Sequence, residues 1–416
     1  MRSNSGLWER FVVGVNYWPR RRAMLWWKEF DESEVKSEFK EIRDLGLQVV
    51  RIFLIWEDFQ PEPSRVSQTS LSNLEAVLDI AASYGLRVVP TLLVGFMSGL
   101  NWVPEWAIDF ANLHPTYPTI SSGRVSRYSV RDIYEDEAML EAEKLLFRTV
   151  VSRFRDHPAV LAWDISNEID NLRIPRTREA ARRWLREVVE EIRRADPHHP
   201  VVLGMHQENL EFDKGFYVQD VAETCDLLCM HGYPAFAPWG EGPLDSKVVP
   251  FLNVLAENLG GRKVLFEEFG IATSPPGEPT KEFCEVEVYG KRVKLVTVEE
   301  GEAAKYYLEV LEGLHRVGSL GALAWMFSDY DPVVYEKLPP GSLSRFEGLL
   351  GLTRADGSVK PIGLAVKRFS SQGRRVLRAT IDLGVSGEEY YANPMENLRR
   401  AYERFKREFS RIVPTP

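Results

Sequence analysis

The sequence predicts a (β/α)8 barrel with long βα loops and a C-terminal helical extension, on three observations. Short runs rich in Val, Ile and Leu each give way to a stretch with apolar residues at helical spacing, and eight such pairs can be counted in the 416 residues. The runs are mostly continuous rather than alternating, as strands covered on both faces require. No glycine-rich phosphate loop favours a doubly wound sheet instead.

The elements follow in order. Residues 11–18 form the first run, followed by a helix striped with Val35, Phe39 and Ile42; residues 48–55 form the second, followed by Leu74, Val77, Leu78 and Ala81. Gly46 and Gly85 stand just before the second and third runs, suited to end the helices that precede them. The third run is 87–94 and the fourth 160–166, the latter followed by a stripe of Ala181, Trp184, Leu185, Val188 and Ile192. Runs at 201–205, 227–231 and 263–267 come next, then a helix carrying Ala303, Tyr307, Val310, Leu311 and Leu314, and finally a strand at 321–327 with a helix at 361–371.

The longest connections, 95–134, 271–299 and 328–357, all follow strands, so they are expected on the barrel face where sites are built. Within 271–299, the runs 283–288 and 291–296 flank Tyr289-Gly290 and read as a β-hairpin. Leu398, Tyr402 and Phe405 give a charged helix at 395–411 an apolar face to lay on the barrel, so residues 372–416 are read as an extension of one 1–416 domain.

Lys and Arg number 52 against 61 Asp and Glu, a net charge of −9 that argues against nucleic acid or an anionic membrane as partner. The first residues lack an apolar signal segment and the most apolar stretch, 88–97, is broken by Pro90, so a cytoplasmic protein without a membrane span is expected. Cys225 and Cys229, read as sharing a strand, would stand about 13 Å apart, too far for a disulfide, and Cys284 is the third cysteine. Charge-rich helices such as 178–194 suggest a thermophilic origin.

Two motifs carry the chemistry. Trp163-Asp164-Ile165-Ser166-Asn167-Glu168 places a carboxylate at the C-terminal end of the fourth strand, and Val264-Leu265-Phe266-Glu267-Glu268-Phe269-Gly270 places two at the end of the seventh. Alternation along a strand lets only one of that pair face the barrel mouth. A glycosidic bond is cleaved by two carboxyl groups flanking it, and strands four and seven lie on opposite sides of a barrel. Arg51 would bring a permanently charged donor fork from the second strand, and His231 and Tyr233 follow the sixth. Trp18, Trp56, Trp102, Trp106, Trp239 and Trp325 fall around the mouth, where indole faces stack on the C–H faces of sugars. The seven histidines are scattered, with no His-x-His or His-Glu-x-x-His, so neither metal nor cofactor is expected.

With Arg51, Asn167-Glu168, His231 with Tyr233, Glu268 in Glu-Phe-Gly, and Trp325 in that order, the chain resembles retaining glycoside hydrolases of clan A, most closely family 5, over roughly residues 10 to 370. The resemblance implies that Glu168 is the acid/base, Asn167 a ligand of the sugar 2-hydroxyl, Glu268 the nucleophile and Trp325 the floor of the −1 subsite. Residues 102–107 and Gly204-Met205-His206-Gln207-Glu208 resemble the β-mannanase and β-mannosidase branch, with Glu208 placed to touch a mannose hydroxyl. The implied substrate is a β-1,4-mannan or manno-oligosaccharide; a β-1,4-glucanase, an exo-acting β-mannosidase and a non-catalytic saccharide-binding barrel are the alternatives.

Overall fold

The apolar runs become eight parallel strands: β1 Val12–Asn16, β2 Val49–Ile55, β3 Arg87–Val94, β4 Trp163–Asn167, β5 Val201–His206, β6 Leu228–His231, β7 Val264–Phe269 and β8 Gly321–Ala324. They close into a barrel in sequence order, with β8 paired to β1. The computed structural model describes residues 8–288, 291–338 and 345–412.

Three strand ends differ from the sequence reading. β4 begins at Trp163 because Val160 makes only an isolated bridge to Val88. β7 runs on to Phe269, so both glutamates of its motif lie within the strand. β8 stops at Ala324, which leaves Trp325 just beyond the strand, in the loop it leads into.

The helices form where side chains satisfy the free N–H groups of their first turns. Asp31 accepts from the N–H groups of Ser33 and Glu34 to start α1 (Glu32–Asp44), and Ser67 caps α2 (Gln68–Ser83). Asp136 caps α3 (Glu137–Phe154) and Thr177 caps α4 (Arg178–Ala195). Gly46 and Gly85 have φ of 75° and 70°, the left-handed geometry that lets the chain leave a helix and enter β2 and β3. The expected stripes of α1, α2 and α4 are buried against the barrel.

The barrel interior is layered. Val12, Val49, Val89, Leu161, Ala162 and Leu323 pack together at the lower end, and Val202, Cys229 and Leu265 form a second apolar group. Above them the inward positions turn polar, with Asn16, Arg51, Thr91, Asp164 and Glu267 all buried. This polar layer is the base of the site.

The insertion after β3 folds into small sheets that sequence reading left as loop: Phe96–Met97, Leu100–Trp102, Thr119–Ser121 and Arg124–Ser126 form one, and Ile108–Leu113 pairs with Tyr128–Val130. The hairpin is present as antiparallel strands Lys281–Val288 and Lys291–Thr297; its Tyr289-Gly290 turn lies outside the described residues. In the tail, the helix Pro394–Phe409 buries Leu398, Tyr402 and Phe405, with the Tyr402 hydroxyl donating to Asp245 at 2.5 Å. Cys225 lies at the end of the helix Val218–Thr224, not on the strand that carries Cys229, and all three cysteines are free thiols. Among the described residues, no helix is long and apolar enough to cross a membrane.

Candidate active site

Arg51 organises the polar layer. Its Nε and Nη2 donate to Asp164 Oδ2 at 3.1 and 2.8 Å, and its Nη1 donates to Glu268 Oε1 at 2.5 Å. Nη2 also reaches Asn167 Oδ1 at 3.1 Å, and Glu267 Oε1 stands 3.7 Å from Nε. Asp164 is held further by Thr91 Oγ1 at 2.6 Å and the Gly204 N–H at 3.0 Å. Gly204 is glycine for a reason of space: a Cβ there would lie 2.9 Å from Arg51 Nη2. The guanidinium is fully buried and does not line the cavity above it, so Arg51 holds Glu268 from beneath instead of projecting into the site.

The alternation expected at Glu267-Glu268 holds in part. Glu268 opens into the cavity and Glu267 does not. Yet both carboxylates approach Arg51, because the pairing register of β6 with β7 shifts after Met230 and sets His231 against Glu268.

The cavity, about 1210 Å³, opens at the C-terminal ends of the strands and is lined by Asn167, Glu168, His231, Tyr233, Glu268 and Trp325, among others. Glu168 has φ 46° and ψ 51°, a left-handed conformation that costs a non-glycine residue free energy and aims its side chain off the end of β4. Its Oε1 lies 2.9 Å from His231 Nδ1, and its Oε2 accepts from Asn171 Nδ2 at 3.0 Å. Glu268 Oε2 accepts from the Tyr233 hydroxyl at 2.8 Å, while His231 Nδ1 is 3.5 Å from Glu268 Oε1. Asn167 Nδ2 gives one hydrogen to the Phe96 carbonyl at 3.2 Å, leaving the second free for a ligand.

The buried carboxyls of Asp164, Glu267 and Glu268 and the half-buried carboxyl of Glu168 face the cations Arg51 and His231. Burial alone would lower His231, but Glu268, the hydrogen bond to Glu168 and the Glu267 carboxylate 3.6 Å from Nε2 raise it to about 9, so it is a cation at neutral pH. Burial and the neighbouring Glu267 push Asp164 up to about 6. Burial raises both Glu168 and Glu268; His206 and His231 draw Glu168 below its ordinary value, and Glu168 helps hold Glu268 above it. An excess of buried acid over buried base favours keeping a proton within the cluster.

Sequence reading missed a second network on the Glu168 side. Lys214 Nζ donates to Asn171 Oδ1 at 2.7 Å and Glu208 Oε2 at 2.6 Å, and pairs with Asp170 at 2.8 Å; His206 Nε2 lies 2.8 Å from the same Asp170 oxygen. Burial raises Asp170, but His206 and Lys214 outweigh it and hold that carboxyl far below the ordinary range. Glu208 does line the cavity, with its carboxylate bound to Lys214. Asp164 and Glu267 were also missed as partners of Arg51; their barrel-inward positions were the available signal.

The tryptophans divide. Trp325 lines the cavity, but Trp18, Trp56 and Trp102 do not. Trp18 is fully buried and stacks on Phe53 at 4.8 Å; Trp56 donates to Gln60 Oε1 at 2.9 Å and meets Trp106 edge-on; Trp102 donates to the Met97 carbonyl at 3.3 Å. Trp239 packs against Phe251 and Tyr402 under the tail helix. These four are packing residues, not platforms for sugar.

The family model described as Cellulase (glycosyl hydrolase family 5) matches residues 12–275. The chain belongs to glycosyl hydrolase family 5. It is therefore a clan A glycoside hydrolase, built on the eight-stranded barrel of that family. A probable mannan endo-1,4-β-mannosidase A-2 from Aspergillus terreus is 23% identical over 272 residues, 58% of this chain and 63% of that protein. The exo-β-1,4-mannosidase Op5Man5 from Opitutaceae bacterium strain TAV5 is 25% identical, with a TM-score of 0.69 over 89% of this chain and 61% of that one. A GH5_18 protein from Streptomyces cattleya, solved with GlcNAc, superposes with a TM-score of 0.76 at 20% identity, over 97% of this chain and 92% of that one.

Glu168, His231 and Glu268 are, among the described residues, the group whose oxygen and nitrogen atoms could converge on a metal, all within 4.8 Å of one another. Two features disfavour an ion there. Arg51 already donates to Glu268 Oε1, and His231, raised to about 9, would first have to give up a proton. This family 5 hydrolase is therefore expected to keep full activity after dialysis against EDTA; activity lost and then restored by a divalent ion would assign the trio to a metal.

Proposed function

We propose that this family 5 enzyme hydrolyses β-1,4-mannosidic linkages with retention of configuration, Glu268 acting as nucleophile and Glu168 as acid/base. The observation that carries the reading is the spacing of the two carboxylates. Their facing oxygens lie within 4.8 Å, close to the roughly 5–5.5 Å between carboxyl groups of retaining glycosidases and well short of the roughly 6.5–9.5 Å that inverting enzymes keep for a water.

Each step follows from the partners. In the first, Glu268 attacks the anomeric carbon, the bond to the leaving oxygen breaks, and that oxygen takes the proton of Glu168. Arg51 and Tyr233 both donate to Glu268 and favour it as the carboxylate that attacks. The preference of the free site, with Glu168 drawn down and Glu268 raised, has to be reversed when substrate arrives. His231 lies against both carboxyls and is placed to let the proton change sides. In the second step Glu168, now a carboxylate, removes a proton from water, and the resulting nucleophile displaces Glu268 from the sugar. Trp325 supplies an apolar wall for the ring, and the free Asn167 amide hydrogen a donor for its 2-hydroxyl.

The mannoside assignment is supported by the curated relatives named as mannan endo-1,4-β-mannosidases and by the likeness to an exo-β-1,4-mannosidase. The chain spans 63% of the first of those relatives and 53% of the second.

Glu168→Ala tests the acid role. Its kcat/KM on mannobiose is expected to fall by about 10²–10⁴-fold, the usual worth of a positioned acid. Formation of the glycosyl-enzyme from 2,4-dinitrophenyl β-mannoside, whose leaving group needs no proton, should be nearly unchanged, and added azide should give β-mannosyl azide. Equal losses on both substrates would remove Glu168 from the acid role.

A further inference from the structure

The double displacement uses two carboxyls, but a third sits beside them with no role in it. Glu347 lines the same cavity as Trp325 and Glu268, and both act on its carboxyl. The groups that act on its carboxyl are the Glu268 carboxylate, the Trp325 side chain and Glu168, with no cation among them. Other acids of the cavity are spoken for: Asp170 and Glu208 by Lys214, and Asp213 by the Tyr217 hydroxyl at 2.9 Å.

The backbone that presents Glu347 is held firmly. It begins the short 3-10 turn Glu347–Leu349. The Leu349 carbonyl accepts from the Thr273 N–H at 3.0 Å and from Lys360 Nζ at 3.3 Å, and the Gly348 carbonyl from the Tyr330 N–H at 3.2 Å. Lys360 is itself buried between Asp329 Oδ1 at 2.6 Å and Thr273 Oγ1 at 2.7 Å. Gly348 packs so closely under Tyr335 that a Cβ there would collide with its hydroxyl. The apolar side chains of Phe346, Leu350, Ile271 and Leu295 line the same cavity. A carboxyl fixed in such a cavity gains most from a ligand that brings hydroxyl donors to it.

We propose that Glu347 is a specificity-determining residue, which accepts hydrogen bonds from glycone hydroxyls remote from the scissile bond, O4 foremost. A sugar linked onward through O4 cannot offer that donor, so the enzyme acts at the non-reducing end of a β-mannoside and releases one sugar at a time. Burial and the Glu268 charge push the carboxyl up to about 7, so it retains acceptor oxygens in either protonation state. The proposal rests on the β-mannosidase reading of the Glu168–Glu268 pair.

The test measures kcat/KM of wild type, Glu347→Ala and Glu347→Gln on 4-nitrophenyl β-mannoside and on its 4-deoxy analogue, with melting temperatures to establish that each variant is folded. Wild type should prefer the parent sugar by roughly 10- to 10²-fold, the worth of a hydrogen bond to a charged group. Glu347→Ala should lose that margin on the parent alone and treat both substrates alike, with Glu347→Gln between. On mannohexaose tagged at its reducing end, wild type should first form mannose and tagged mannopentaose. A folded Glu347→Ala that keeps the wild-type preference for the 4-hydroxyl overturns the role of Glu347, and internal cleavage from the start overturns the terminal action. Wild type inert on aryl β-mannosides yet active on another aryl β-glycoside would instead overturn the mannoside reading beneath the proposal.

Discussion

Glu268→Ala is expected to reduce kcat on β-mannosides by about 10⁴–10⁶-fold, the scale seen when a covalent nucleophile is removed. The fold should survive. Loss of Glu268 removes one acid from a cluster with an excess of acids, and Arg51 keeps Asp164 and Glu267 as partners. A small anion can then enter below the anomeric carbon, where the carboxylate stood, while Glu168 still protonates the leaving oxygen. With azide the variant should therefore form α-mannosyl azide, the opposite anomer from that given by Glu168→Ala. The anomer formed by each variant assigns the two roles independently, and a β-azide from Glu268→Ala would exchange them.

Arg51→Met is expected to cost both stability and activity. The side chain is wholly buried and is the cation to which Asp164, Glu267 and Glu268 all turn. Removing one partner of a buried pair leaves charge uncompensated, at about 3–5 kcal/mol. The pH dependence fixes the sign. Asp164 and Glu268 already stand above their ordinary values, and without the guanidinium the buried carboxyls rise further, so the variant's stability is best kept at low pH and is lost as pH rises through the raised values. Denaturant titrations should show the gap from wild type widening from pH 5 to pH 8. A gap independent of pH would mean that Arg51 acts by packing alone. Activity should fall as well, since Glu268 loses its strongest donor and takes up a proton that blocks attack.

The barrel was legible because its signal is local. Most strands are largely apolar runs of four to eight residues, each helix a 3.6-residue stripe, and glycines such as Gly46 and Gly85 mark the turns between them. The site was legible where a motif sits at a strand end: Asn167-Glu168, Glu268, Gly270, His231 and Tyr233 all reach the cavity. What failed to show is what depends on distant partners. Lys214 pairs with Asp170 across 44 positions, and Arg51 with Asp164 across 113, and nothing in either neighbourhood announces the other. Trp18, Trp56 and Trp102 were misread for a related reason: an indole has the same hydrophobicity whether it faces a sugar or another aromatic ring, and only the packing of Phe53, Gln60 and Met97 decides. Glu347 went unseen because it follows β8 by more than twenty positions, in a loop with no periodic signal.

The central claim is that Glu168 and Glu268 act as a retaining pair. Proton NMR during the first minutes of hydrolysis of 4-nitrophenyl β-mannoside reads this directly from the anomer released before mutarotation. Two displacements at one carbon predict β-mannose first, with the α anomer growing in later. α-Mannose as the first product would mean a single displacement by water, and would contradict the roles assigned to both glutamates.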